Sequence, residues 1–217
     1  MTSPGARQPV QWAIKRAVDV TGAAVGLAVL SPALLLMGAA VRLGSSGGAL
    51  FRQERVGRGG RTFEMLKLRT MQSGAPVQFN ADGSTRVAGR DPRVTRIGRF
   101  LRGGLDELPQ LVNVLRGEMS LVGPRPDMPV HAATYTEVER GKLVVRPGMT
   151  SLAAVLGRNE IVWRTRMAID LRYVAQWSLG VDLQIIMQTL LLPFGWRPFR
   201  FRRVLGEVDL STGEQAD

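Results

Sequence analysis

Apolar residues fill positions 20–41 without a single charge, VTGAAVGLAVLSPALLLMGAAV, and every later segment is broken into short alternating or helical patterns. A charge-free run of roughly twenty residues is long enough for a membrane helix. A buried helix in a soluble core is the alternative reading. A cleaved signal peptide fits poorly, because the run is too long and Arg42 stands where small residues should lead to a cleavage site. Ser31-Pro32 sits at its centre, and proline removes a backbone donor and crowds the preceding turn. The sequence therefore predicts helix–break–helix. Lys15 and Arg16 precede the run, and Arg42, Arg52 and Arg55 follow it. A straight span would carry one of these basic clusters across the membrane, against the positive-inside rule. A re-entrant hairpin returning both flanks to the cytoplasmic face avoids this; a kinked span is its rival. Trp12 is read as an interfacial anchor.

Beyond the run, residues 49–55 and 62–67 read as strands around the Gly57-Arg58-Gly59-Gly60 turn, a small β-hairpin. Residues 71–91, rich in Gly, Asp, Asn and Ser, read as a surface loop. A helix is expected over 93–100, then the Gly103-Gly104 break. A second helix over 106–115 has Leu108, Leu111, Val112 and Leu115 at helical spacing. Further helices are expected over 162–176 and 182–194. In the last, Leu183, Ile186, Met187, Leu190, Leu191 and Phe194 share one face, and Trp196, Arg197, Phe199 and Arg200 follow. That stripe suits either a membrane interface or a core. The fold class is α+β, predominantly helical. Residues 1–43 form the N-terminal segment and membrane hairpin, 44–206 the catalytic domain with amphipathic interfacial helices around its site, and 207–217 a disordered acidic tail.

Charge narrows the partners. A net +11 over 217 residues calls for a polyanionic neighbourhood: nucleic acid, an anionic membrane face or phosphorylated substrates. The apolar run and the lack of a nucleic-acid motif count against the first. There is no cysteine, hence no disulfide framework or thiolate metal site, and the single histidine, His131, reads as an ordinary helix or loop residue. Any metal must be a hard cation held by carboxylates and phosphate oxygens, which points to Mg²⁺.

The candidate chemistry lies in LDELPQLVN at 105–113 and SLVGPRP at 120–126. Asp106 and Glu107 stand at a predicted helix start, where free amides and the helix dipole stabilise an anion. An ionised aspartate there could attack phosphorus. Adjacent carboxylates repel, so a divalent cation and arginines are needed for both to ionise. Simple helix-start preference would equally place an isolated acidic pair there. Gly123-Pro124-Arg125-Pro126 fixes backbone on both sides of an arginine and presents a guanidinium suited to phosphate; Arg146-Pro147-Gly148 repeats the device.

Together with KRAVDV at 15–20, FRQERVG at 51–57, FEMLKLRTM at 63–71, DPRVTRIGRFLR at 91–102, VRPGMTS at 145–151 and GRNE at 157–160, these segments resemble the small monotopic phosphoglycosyl transferases, the bacterial sugar transferases. The resemblance covers nearly the whole chain from Lys15 to Phe194 and is to the family's minimal catalytic form. It implies transfer of a phospho-sugar from a UDP-sugar to a polyprenyl (undecaprenyl) phosphate with release of UMP, initiating bacterial glycoconjugate assembly. It further implies that Asp106 is the nucleophile of a covalent intermediate and a Mg²⁺ ligand, that Glu107 assists, and that Lys67, Arg69, Arg102, Arg125, Arg146, Arg158 and Asn159 bind substrate. Ser31 and Pro32 would mark the membrane hairpin, at the cytoplasmic face of the bacterial inner membrane, with membrane lipids and no nucleic acid as partners. Two positions depart from the family's pattern. Arg102 stands four residues before Asp106, where relatives usually have it one residue further away. Ser151 replaces a common glycine. A catalytically inactive UDP-sugar-binding paralogue or scaffold is the alternative these departures leave open.

Overall fold

The computed structural model describes residues 9–44, 46–76, 78, 91–157 and 161–206, with backbone only for Arg202 and Arg203. Most of the predicted 71–91 loop, Arg158, Asn159 and the 207–217 tail therefore lie outside the described residues.

Helix α1, Pro9–Gly44, is one continuous helix of 36 residues that runs through Pro32. The predicted break is thus corrected. Pro32 cannot donate to the carbonyl of Ala28, four residues back, and the hydroxyl of Ser31 donates to that carbonyl instead at 3.0 Å. The side chain beside the proline supplies the bond that the proline removes.

Burial along α1 is inverted relative to a soluble helix. Its buried residues are Lys15, Asp19, Ala23 and Val41, while Val10, Val29, Leu35 and Leu36 are each more than two-thirds exposed. Lys15 and Asp19 face protein and most apolar positions face outward, a pattern that suits lipid on the outer face. Lys15 Nζ donates to Asp182 Oδ2 at 2.6 Å and to the carbonyl of Val122 at 2.9 Å. Tyr173 and Trp177 donate to the same carboxylate at 2.6 and 3.1 Å. Asp19 accepts from the Ser120 hydroxyl and the Leu121 amide. Trp12 is not an interfacial anchor: it stacks on Trp177 with ring centroids 4.1 Å apart.

The hairpin forms as predicted. Strands β1, Leu50–Val56, and β2, Thr62–Leu68, pair antiparallel with Phe51 opposite Lys67 and Val56 opposite Thr62. Met65 and Leu68 turn inward against α1, packing with Ala23 and Val41 respectively. Helix α2, Arg96–Leu101, is shorter than expected. Asp91 accepts from the Arg93 amide and holds a turn there, and Thr95 caps the helix through the Gly98 amide at 2.9 Å.

The helix expected from Asp106 begins later. Leu105–Glu107 is a 3₁₀ turn, and α3 runs Gln110–Arg116. Pro109 has no N–H to join a longer ladder, so the chain closes with tighter bonds before it and starts the α-helix after it. Asn113 then fixes α3 to the hairpin, accepting from the Leu66 amide at 3.0 Å and donating to the Glu64 carbonyl at 2.7 Å.

Strands β3, Ser120–Val122, and β4, Gly148–Thr150, form a parallel pair that the sequence pattern did not reveal. Each has only three residues, too few for periodicity to register. A Cβ on Gly123 would lie 2.5 Å from the Arg146 carbonyl, so the two arginine-bearing turns press backbone to backbone.

Between β3 and β4 lies α4, Pro129–Ala132, which carries His131. Then follow α5, Leu152–Leu156; α6, Trp163–Ala175; α7, Leu179–Leu191; and α8, Arg202–Leu205. Helix α7 is capped by Ser178 and starts three residues before the expected 182. It buries Asp182, Ile185 and Gln188 and leaves Leu183, Met187 and Leu190 exposed, with Phe194 beyond its end also exposed. The apolar stripe is divided: Leu183, Met187, Leu190 and Phe194 face out, while Ile186 packs on the core.

Candidate active site

Asp106 and Glu107 share the 3₁₀ turn after Gly103-Gly104, and β2 and the Arg125 loop bring cations to only one of them. Lys67 Nζ and Arg125 Nη2 both donate to Glu107 Oε1, at 2.7 and 2.9 Å. Burial alone would raise the Glu107 carboxyl, yet Arg125 and Lys67 hold it well below the usual range. Burial and the neighbouring Arg125 lower Lys67, with Glu107 opposing.

Asp106 is different. It is half-buried and makes no hydrogen bond or ion pair with another side chain among the described residues. Burial raises its carboxyl, and Glu107 adds to the rise, while Lys67 and Arg102 pull against it. One carboxylate is thus fixed and ionised; its neighbour is unengaged and more basic. Environments that drive two acids apart in this way assign them different roles.

The remaining predicted residues fall into three groups. Arg102 Nε donates to Thr70 Oγ1 at 3.3 Å, and its charge reaches Asp106. Arg69 donates to the carbonyls of Gly48 and Leu50 and to Ser73, tying the hairpin ends rather than reaching the acidic pair. Arg146 donates to the Gly117 carbonyl at 2.8 Å, at the far end of α3 from Asp106. Arg158 and Asn159 are outside the described residues.

The short connection between Arg102 and Asp106 has a backbone explanation. Gly103 and Gly104 adopt φ of 124° and 133°, a region that L side chains rarely enter. Gly104→Ala has open space for its methyl group, so its effect is conformational. We expect a stability loss of about 1–2 kcal/mol and a displaced Asp106. Thermal unfolding together with turnover checks this; a drop in turnover at unchanged Tm is not expected.

Two further residues emerge only in three dimensions. Arg55 donates to the Pro126 carbonyl at 3.1 Å and to Gln53, and burial together with Arg125 lowers it to about 10. Asp127 accepts from Lys142 Nζ at 2.6 Å and from the Tyr135 hydroxyl, and its carbonyl accepts from the Val56 amide. These contacts clamp the loop that presents Arg125. The FRQERVG and GPRP segments contained Arg55 and Arg125, but nothing in their spacing joins them.

No group of three or more His, Cys, Asp or Glu side chains is close enough to hold a metal among the described residues. A cation here would rest on Asp106, with most ligands from water and substrate phosphates. A half-buried carboxylate with no side-chain partner could serve as one ligand of a hard cation that keeps several waters and substrate oxygens.

An acidic pair with Lys67 and Arg125 on one carboxylate, in a domain bonded to an outward-facing apolar helix, suits an enzyme that handles phosphorylated substrates at a membrane. The bacterial sugar transferase profile matches residues 10–195. The exopolysaccharide production protein ExoY of Rhizobium meliloti (strain 1021) is 41% identical over 198 residues, 86% of this chain and 88% of that protein. A UDP-glucose:undecaprenyl-phosphate glucose-1-phosphate transferase of Caulobacter vibrioides is 45% identical over 185 residues, 81% of this chain and 68% of that protein. The enzyme of that name in Escherichia coli (strain K12) is 38% identical over 190 residues, 83% of this chain and 40% of that protein. The chain belongs to the bacterial sugar transferase family and is a phosphoglycosyl transferase.

Proposed function

We propose that this enzyme transfers a phospho-sugar from a UDP-sugar to a polyprenyl phosphate in two displacements at one phosphorus. An Asp106 oxygen bonds to the β-phosphorus, the bond to the bridging oxygen breaks, and UMP leaves with that oxygen. An oxygen of the polyprenyl phosphate then attacks the same phosphorus. The Asp106–phosphorus bond breaks, freeing the carboxylate and giving the polyprenyl diphosphosugar. The observation that carries this reading is the division of labour in the pair: Lys67 and Arg125 occupy Glu107, while Asp106 is unengaged. A more basic carboxylate is also a stronger nucleophile.

Glu107 fixes Lys67 and Arg125, whose remaining donors face the charge that develops on the diphosphate. Mg²⁺, held by Asp106 and substrate oxygens, would neutralise that diphosphate. The names of the relatives, which give UDP-glucose as donor and undecaprenyl phosphate as acceptor of glucose 1-phosphate, support a nucleotide-sugar donor and a polyprenyl-phosphate acceptor.

The membrane placement we propose is monotopic, on the cytoplasmic face of the inner membrane. At about 1.5 Å per residue α1 spans about 54 Å. Yet Lys15 near one end bonds Asp182, and Val41 near the other packs on Leu68 and Leu101 of the same domain. A helix attached at both ends to one domain is not free to cross to the other side. Pro32 is where its ladder lacks a backbone donor and where a bilayer could bend it.

The test is to incubate the full chain in lipid nanodiscs, without acceptor, with UDP-sugars labelled at the β-phosphate. Stoichiometric label on Asp106, dependent on Mg²⁺ and discharged by undecaprenyl phosphate, is expected. UMP release that requires acceptor from the first turnover, with no labelled protein, would overturn the covalent step.

A further inference from the structure

Lys67 is not the only residue near the end of β2 that grips the acidic turn. Three residues further on, the Thr70 hydroxyl accepts from Arg102 Nε at 3.3 Å. Lys67 thus holds Glu107, directly after Asp106, at 2.7 Å, while Thr70 holds Arg102, which precedes Asp106. The segment between them contains Gly103 and Gly104 at positive φ and is fastened at both ends to one short stretch of chain.

Thr70 is a rigid point of attachment. On its N-terminal side the Arg69 amide donates to the Ala49 carbonyl at 2.8 Å, and on its C-terminal side the Gln72 amide donates to the Arg93 carbonyl at 2.8 Å. Its own carbonyl accepts from the amide of Thr95, the cap of α2, at 3.0 Å. A Cβ on Gly98 would lie 2.0 Å from that carbonyl oxygen, so α2 lies directly against Thr70. Beyond the end of α2 the Arg102 amide donates to the Gly98 carbonyl at 3.0 Å, and the Arg102 side chain returns to the Thr70 hydroxyl. Backbone bonds therefore fix where that hydroxyl sits, whatever Arg102 does.

The bond to Thr70 uses only Nε. Among the described residues the two terminal nitrogens of Arg102 have no hydrogen-bond partner. The carboxylate of Asp91 does not take them, because it is engaged by Arg93 at 2.9 and 2.5 Å. A guanidinium held at Nε and open at both terminal nitrogens is prepared for two oxygens of a phosphate.

We propose that Thr70 is a positioning residue: it orients Arg102 so that the terminal guanidinium nitrogens bind the diphosphate of the nucleotide donor beside Asp106. The inference rests on the donor reading proposed above and adds a residue that acts through Arg102 without touching substrate.

The experiment measures binding of UDP, which carries the diphosphate without a sugar, to the full chain in detergent micelles with Mg²⁺, by isothermal titration calorimetry. Thr70→Val keeps the shape of the side chain and removes the hydroxyl; it should weaken UDP about fivefold, the loss of one hydrogen bond to a charged donor. Thr70→Ala, which also lacks the hydroxyl, should match it. Thr70→Ser retains the hydroxyl and should stay within about twofold of wild type. Arg102→Gln should weaken UDP about tenfold, or about 1.4 kcal/mol. Adding Thr70→Val to Arg102→Gln should then cost almost nothing more, because the two residues act as one unit. A second fivefold loss in the double variant would show that the hydroxyl supports the fold and not Arg102, and would overturn the proposal. So would UDP binding by Thr70→Val and Thr70→Ala at the wild-type level, or a loss that Thr70→Ser shares. Each of these overturns this inference alone. A wild-type protein that does not bind UDP overturns the donor reading as well.

Discussion

Asp106→Asn is expected to lower UMP release by roughly a thousandfold or more, about 4 kcal/mol of barrier, with an unchanged or slightly raised Tm. Stability should hold because Asp106 has no side-chain partner to lose, and because its carboxyl is raised by burial and Glu107. A neutral amide is tolerated at least as well there. The same variant separates two roles for Asp106. If the carboxylate only held a cation, the asparagine oxygen would remain a weak ligand, and a tenfold increase in Mg²⁺ should restore part of the rate. A nucleophile cannot be restored in that way. Partial recovery with Mg²⁺ would therefore remove Asp106 from the covalent step. The wild-type pH profile is the companion measurement. Asp106 must be ionised, so the acid limb of kcat/KM should sit above the ordinary carboxylate value of ~3.9. Lys67 must stay protonated, and its lowered pKa should bring the basic limb below the ordinary ~10.4.

Much of this site was legible in the residues. Asp106, Glu107 and Arg125 belong to segments with their own local signals, an acidic pair before a helical pattern and a rigid Pro-Arg-Pro turn, whereas Lys67 entered only through the family resemblance. The structure brings all four together. The hairpin was also legible, because a glycine-rich turn separates two short strand patterns. Where the reading failed, the deciding interaction was non-local. Pro32 does not interrupt α1 because Ser31 satisfies the carbonyl the proline abandons. Trp12 turned inward because Trp177, far away in sequence, offered a ring to stack on. Arg69 was drawn to the carbonyls at the start of β1, and Arg146 to the end of α3. No spacing rule encodes which backbone carbonyl an arginine will find. The parallel β3–β4 pair was hidden because three-residue strands carry no period. Helix α7 had a readable stripe but not a readable direction, since exposure to lipid and burial in a core select the same residues.

Lys142→Met should destabilise the protein by about 3–5 kcal/mol at neutral pH, and by much less near pH 4.5. Lys142 is buried and lies between the partly buried Asp127, 2.6 Å away, and the buried Asp170, 3.1 Å away. Tyr135 and Arg55 also face Asp127, and the charge of Arg166 reaches Asp170. Methionine fills the volume but leaves two carboxylates without their main counter-charge. The sign of the pH effect follows from Asp170, which burial pushes up to about 6 even with Lys142 present. Its folded value lies above that of an unfolded chain, so folding takes up a proton. Stability from this group is full below about pH 4 and is lost as pH rises towards 6. Removing Lys142 raises the folded value further and extends the loss to higher pH. Asp127, now held low mainly by Lys142, would join it. Unfolding of the detergent-solubilised protein at the two pH values checks this, with Lys142→Met/Asp170→Asn expected to recover part of the neutral-pH loss. A loss independent of pH would mean that packing, not charge, is what Lys142 provides. The consequence reaches the chemistry, because Asp127 anchors the loop that aims Arg125 at Glu107. At a temperature where the variant remains folded, its turnover should still be reduced, since a looser Arg125 no longer holds Glu107 ionised or Lys67 in place.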